Sequence, residues 1–193
     1  MKKSLGLCMV LTGALLLSGC GQKFEPTEST IFVTSKGVVK SAVMESFEED
    51  YYNFTELTGK IESAVQEYCA NGNEGAVEVE SLTEADGMVT LQMQYANAAV
   101  YSEFNDMVLF SGTLSEAKLA GYSWGELYDT QGQLVEVTAE EENTLKVIIT
   151  EENICIQTAG KIKYISDNVT MIDSKLARAL EAGAGHPAFV VYK

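Results

Sequence analysis

Histidine is all but missing from this chain: His186 stands alone among 193 residues. Zinc centres built on several imidazoles are therefore excluded by count, and any Ser–His or Cys–His machine has to be built on that one ring. Cysteine is scarce too. The four cysteines show no Cys-x-x-Cys spacing, which argues against zinc ribbons and against a disulfide-dense scaffold. Proline occurs twice, at Pro26 and Pro187, so collagen-like and proline-rich chemistry are ruled out. Basic residues number 13 against 28 acidic ones, a net charge of −15. So acidic a chain is repelled by nucleic-acid phosphates and by anionic lipid headgroups. Neither Gly-x-Gly-x-x-Gly nor a Walker-type loop occurs, which removes the common phosphate cradles.

What is present begins with an address. Lys2 and Lys3 precede an apolar stretch from Leu5 to Leu17, which ends in Leu17-Ser18-Gly19-Cys20. A short basic start, an apolar core and small residues before a cleavage point are the marks of a secretory signal. The core spans 13 residues, whereas a bilayer-spanning helix needs roughly 20. Leu17-Ser18-Gly19-Cys20 resembles the lipobox of bacterial lipoproteins, in which the cysteine thiol receives a diacylglyceryl group and a dedicated peptidase cuts just before it. The resemblance implies a signal peptide over residues 1–19 and lipidated Cys20 as the first mature residue. It places the body on the extracytoplasmic face of the cell membrane, with the diacylglyceryl anchor as its membrane contact. One acyl chain holds a protein marginally, at about 0.8 kcal/mol per buried methylene, and two hold it stably. From Cys20 onward the 174 residues carry 11 basic and 28 acidic side chains, a net of −17, so the polypeptide itself offers the membrane nothing and nucleic acid is no expected partner. Residues 20–29, polar and interrupted by Pro26, read as a flexible tether. In leader, size and acidity the whole chain resembles the small acidic lipoproteins of Gram-positive anaerobes, a group with no assigned activity.

The body, residues 30–193, reads as α+β: antiparallel hairpins with a few covering helices. Ile31-Phe32-Val33, a turn at Ser35-Lys36-Gly37 and Val38 to Phe47 suggest a first hairpin. Leu57, Ile61, Ala64, Val65 and Tyr68 form one helical stripe between about Phe54 and Ala70, with Asn53 or Thr55 as cap and Asn71-Gly72 as stop. Val77 and Val79, the Asp86-Gly87 turn, and the alternating Val89, Leu91, Met93 and Tyr95 predict a second hairpin. A short helix is expected over Ala98–Asn105. Thr113 and Glu116 have capping-box spacing for another that stops at Gly121. Leu134 to Val137 suggests a strand, and Glu140 to Asn143 a solvated turn. From Leu145 the pattern is mostly strand, with a helical piece expected near Ser174–Ala182 and a closing strand over Ala188–Tyr192. A single domain is the expectation, with a subdivision near 125–133 left open.

Candidate chemistry is thin. His186 lies in Gly183-Ala184-Gly185-His186-Pro187, a turn setting. Cys69 and Cys155 are expected as two separate thiols. The runs Glu48-Glu49-Asp50, Glu140-Glu141-Glu142 and Glu151-Glu152 read as solvating charge, and no calcium-loop spacing accompanies them. Tyr51-Tyr52-Asn53-Phe54 is an aromatic cluster that either staples the helix start to the sheet or meets a sugar or peptide; the staple is favoured. Catalytic, cofactor-binding and metal residues are expected to be none, and Cys20 is the one assigned site. A non-enzymatic envelope or binding lipoprotein is the expected function. A ligand-capturing lipoprotein serving a transporter and an envelope hydrolase are the alternatives.

Overall fold

The structure, a computed structural model, describes residues 23–193. The chain enters through β1 (Thr30–Val33) and β2 (Val39–Ser46), the expected hairpin, turning at Gly37 with φ +81°. Helix α1 (Phe54–Ala70) follows, capped by the Asn53 side chain on the Glu56 N–H. β3 (Val77–Ala85) and β4 (Met88–Tyr95) then pair through a two-residue turn. Both of its residues, Asp86 and Gly87, have positive φ, as that tight hairpin geometry requires. Next come α2 (Ala98–Asn105), β5 (Leu109–Thr113), α3 (Leu114–Leu119), β6 (Leu127–Asp129), β7 (Leu134–Val135) and α4 (Ala139–Thr144). The rest is strand: β8 (Lys146–Thr150), β9 (Cys155–Thr158), β10 (Ile162–Ser166), β11 (Val169–Met171), β12 (Leu176–Ala179) and β13 (Ala188–Tyr192).

These strands make two sheets, ordered β11-β12-β9-β1-β2-β4-β3 and β5-β8-β13-β10-β6-β7. All pairs are antiparallel except β1 with β9. The sheets face each other across one apolar cluster, to which the first gives Ile31, Val33, Val39 and Ile156 and the second gives Ile148, Val190 and Tyr192. A second cluster covers the far face of β8 and β13, where Val147, Ile149, Phe189 and Val191 meet Leu114 and Ala117 of α3 and Leu127 of β6. The fold is α+β, mostly sheet. Each sheet takes strands from both sides of residues 125–133. Among the described residues no helix is long and apolar enough to cross a membrane.

Three expectations need correction. Ser174–Ala182 holds β12, not a helix: Ala177 and Ala179 are buried, Arg178 between them is exposed, and β9 and β11 supply ladders on both sides. Tertiary pairing here overrides the helix propensity of Leu and Ala. Glu140 to Asn143 lies within α4, not a turn. Thr138 caps it by accepting the Glu141 N–H, and the Glu141 carboxylate accepts the Thr138 N–H at 3.0 Å. Of the expected tether, residues 23–29 carry no regular structure but lie against the first sheet. Phe24 stacks on Phe32 with ring centroids 5.9 Å apart, the Gln157 amide donates to the Lys23 carbonyl at 3.1 Å, and Ser29 accepts the Met44 N–H at 2.9 Å. Arg178 donates to Glu28 at 2.6 Å and holds its carboxyl below the usual range. Residues 20–22 lie outside the described residues.

Stability should therefore be uneven. Ile148 is fully buried between the sheets, whereas no residue of α1 is buried. Ile148→Ala should cost about 2–5 kcal/mol in urea unfolding, and Ile61→Ala in α1 less than about 1 kcal/mol. Equal losses would show that α1 belongs to the core.

Candidate functional site

An apolar groove lies under α1. Residues of β2, β3 and β4 that face the core continue past the second sheet toward the Asp86-Gly87 turn, and α1 lies across that extension. Tyr68 holds its C-terminal half, donating to Glu103 at 2.8 Å and meeting Phe104 edge-on at 5.4 Å. Phe47 holds its start, stacked on Tyr52 at 4.9 Å and edge-on to Phe54 at 6.5 Å. The expected staple is present. Yet Tyr51 remains 77% exposed and Tyr52 43%, so the cluster also presents rings to solvent. Between the two anchor points the packing of helix on sheet is incomplete. It leaves a groove of about 340 Å³, lined by Val43, Phe47, Tyr52, Leu57, Ile61 and Leu91 among others.

The register gives the groove a charged mouth. Val43, Leu91 and Leu82 form one cross-strand row on the face under α1, and Glu45, Val89 and Glu84 form the next. Neighbouring strands are about 4.8 Å apart, so the backbone positions of Glu45 and Glu84 lie about 10 Å apart on either side of Val89. Glu48 folds over the turn, where a Cβ on Gly87 would meet its side chain at 2.7 Å. Residues 43–95 hold 12 acidic side chains against one lysine, Lys60, which is paired with Glu56 at 2.7 Å. That charge asymmetry is visible in the sequence. The groove is not, since its apolar residues read simply as core.

Other candidates are placed as follows. Cys20 lies outside the described residues. His186 sits in the Gly183–His186 turn with Nε2 3.2 Å from Asp167 Oδ1, and both side chains are more than half exposed. A base in open solvent lacks the fixed, water-excluded surroundings that make proton transfer efficient. Cys69 and Cys155 are both unpaired, as expected. Burial pushes the Cys155 thiol up, away from the reactive thiolate. Gly121-Tyr122-Ser123-Trp124-Gly125 has the Gly-x-Ser-x-Gly spacing of a nucleophile elbow, a signal that a pattern reading of this region overlooks. Its context differs from that elbow. Helix α3 precedes Ser123 and a strand follows, and its neighbours in a shallow hollow are Lys118, Trp124 and Glu142, with Lys118 ion-paired to Glu142. Among the described residues no three His, Cys, Asp or Glu side chains gather as a metal site.

Among the acidic runs, Glu152 turns inward. It accepts the Tyr101 hydroxyl at 3.0 Å, and burial raises its pKa although that hydrogen bond opposes the shift. Comparison with known proteins finds no matching family model, no matching curated protein and no matching solved structure.

Two predictions follow from these placements. A carboxyl whose pKa is raised by folding contributes stability below its unfolded pKa, and that contribution is lost as pH climbs through the folded value. Glu152→Gln should therefore raise the thermal midpoint at pH 7–8, with the two proteins converging toward pH 4; a midpoint lowered at neutral pH would contradict the sign. The separate variants His186→Ala and Ser123→Ala should keep normal abundance and complement a deletion strain. Normal abundance with lost complementation would make the hydrolase reading the leading one.

Proposed function

We propose that this chain is a bacterial lipoprotein, anchored by a diacylglyceryl group on Cys20 to the extracytoplasmic face of the cell membrane, whose body binds a partner without catalysing a reaction. The observation that carries the anchor is the leader: Lys2 and Lys3, a 13-residue apolar core, and Leu17-Ser18-Gly19-Cys20 at its end. The fold adds support from the other side. Among the described residues, contact with the first sheet is already made at Lys23, whose carbonyl accepts the Gln157 amide at 3.1 Å, and Lys23 is three residues along the chain from Cys20. At about 3.6 Å per extended residue, Cys20 and Lys23 lie at most about 11 Å apart. The body then rides close above the bilayer instead of swinging on a long leash. The binding role draws on the groove under α1, which is concave, apolar and open, with polar groups at its mouth.

The anchor is tested on the thiol itself. In cells fed a labelled fatty acid, the wild-type protein should take up label, and Cys20→Ala should take up none and accumulate unprocessed or be released. Undiminished labelling of the variant would overturn the lipoprotein reading.

A further inference from the structure

We propose that the groove under α1 docks a basic peptide segment carrying an apolar or aromatic anchor side chain, a refinement that rests on the reading of the body as a binding protein. Three observations converge on this occupant. The first is size. The groove, about 340 Å³, lies at the small end of the range for ligand sites, roughly 300–1,000 Å³. It suits one or two side chains of a peptide better than a whole cofactor. The second is lining. Val43, Leu57, Ile61, Leu82 and Leu91 make an apolar floor and wall, while Tyr52, 43% exposed beside stacked Phe47, offers a ring to an apolar or cationic group.

The third is charge, and it selects the sign of the partner. Glu45 and Glu84 flank Val89 at the mouth, Glu48, Glu49 and Asp50 follow in the loop, and Glu56 and Glu62 lie on α1. The positive groups on the same elements are already engaged: Lys60 pairs with Glu56, and Lys40 of β2 pairs with Glu80. Phosphates, nucleic acid and acidic peptides are repelled here. A lysine or arginine beside an apolar anchor gains on both counts: its anchor leaves water in the groove while its charge sits among carboxylates within a Debye length, about 8–10 Å.

The test uses the full chain in non-ionic detergent, with protein-free micelles as the blank. Three fluorescein-labelled ten-residue peptides are titrated by anisotropy: alternating Lys and Leu, alternating Glu and Leu, and alternating Lys and Ser. The Lys/Leu peptide should bind at least tenfold tighter than either of the others, and should weaken as salt rises from 50 to 500 mM. Glu45→Gln combined with Glu84→Gln should weaken it at least tenfold, and so should Tyr52→Ala. Glu136→Gln combined with Glu140→Gln removes the same charge from a distant exposed stretch and should leave binding unchanged. Thermal unfolding of each variant verifies that it is folded. No binding of the Lys/Leu peptide, equal binding of the Glu/Leu peptide, or full binding by the folded Glu45/Glu84 variant would overturn the proposal. Equal affinity for Lys/Ser would overturn it too, because the site would then read charge alone. Fatty-acid labelling of Cys20 is read separately, so loss of the anchor reading and loss of the docking reading are told apart.

Discussion

Two neighbouring strands, β8 and β13, hold the molecule together because both of their faces are buried. Ile148 and Val190 point into the cluster between the sheets, while Val147, Ile149, Phe189 and Val191 point the other way, toward α3 and β6. Double burial explains their continuous apolar sequences, Val147-Ile148-Ile149 and Ala188 to Tyr192. It also creates a problem of register. A one-residue slip normally drives apolar groups into water, but here both faces are apolar and the pattern resists a slip only weakly. Specific polar contacts supply what the pattern lacks. The Ser166 hydroxyl accepts the Phe189 N–H at 2.9 Å and donates to Asn168 at 2.6 Å. At the other end Lys161 and Lys193 exchange backbone hydrogen bonds of 3.0 Å beside Gly160, where a Cβ would stand 1.9 Å from the Lys193 carbonyl oxygen. Only glycine permits that approach.

Features that were legible in the sequence are those written within a dozen residues. The hairpins, the Asn53 cap and stop of α1, and the Thr113–Glu116 box that opens α3 all come from local chemistry. The Thr138–Glu141 box has the same spacing, but the acidic run around it mimics a solvated turn and hides α4. β5 is hard to see because Gly112 interrupts it, although a side chain there would strike Phe110 at 2.9 Å. The assembly of the sheets was not legible at all. β1 pairs with β9, from Thr30 with Cys155 to Val33 with Thr158, and no local pattern announces a partner more than a hundred residues away. β12 shows the consequence, since Leu-Ala-Arg-Ala becomes a strand only because β9 and β11 are waiting for it.

The candidate site was half legible for the same reason. Twelve acidic residues against one lysine over 43–95 can be counted in the chain. That Glu45, Val89 and Glu84 share a row, with α1 lying across the row behind it, depends on strand register. The stripe of α1 has the spacing of a core helix, yet the second sheet already fills the space beneath the other half of the face. The helix is left with half-buried contacts and a gap. Regions with few buried contacts open at little cost, and binding surfaces are commonly drawn from them. A firm double-sided core and a loosely seated helix are thus two outcomes of one packing arrangement.

Anchor and groove, taken together as proposed, pose one further physical question: why should so acidic a surface work beside a membrane? An anionic bilayer repels the body but concentrates basic amphipathic segments in its interface, where they gain both charge and apolar contact. The proposed anchor would keep the body beside this pool. The acidic helix–hairpin lobe offers the same two gains as the bilayer, carboxylates in place of headgroups and a groove in place of acyl chains. It adds a fixed backbone geometry that the bilayer lacks, with Glu45 and Glu84 on either side of Val89 in one cross-strand row. Competition with the membrane for a shared ligand chemistry is therefore a role in which strong acidity and a lipid anchor assist each other. On that account the repulsion that keeps the polypeptide off the headgroups also keeps its groove unoccupied by them.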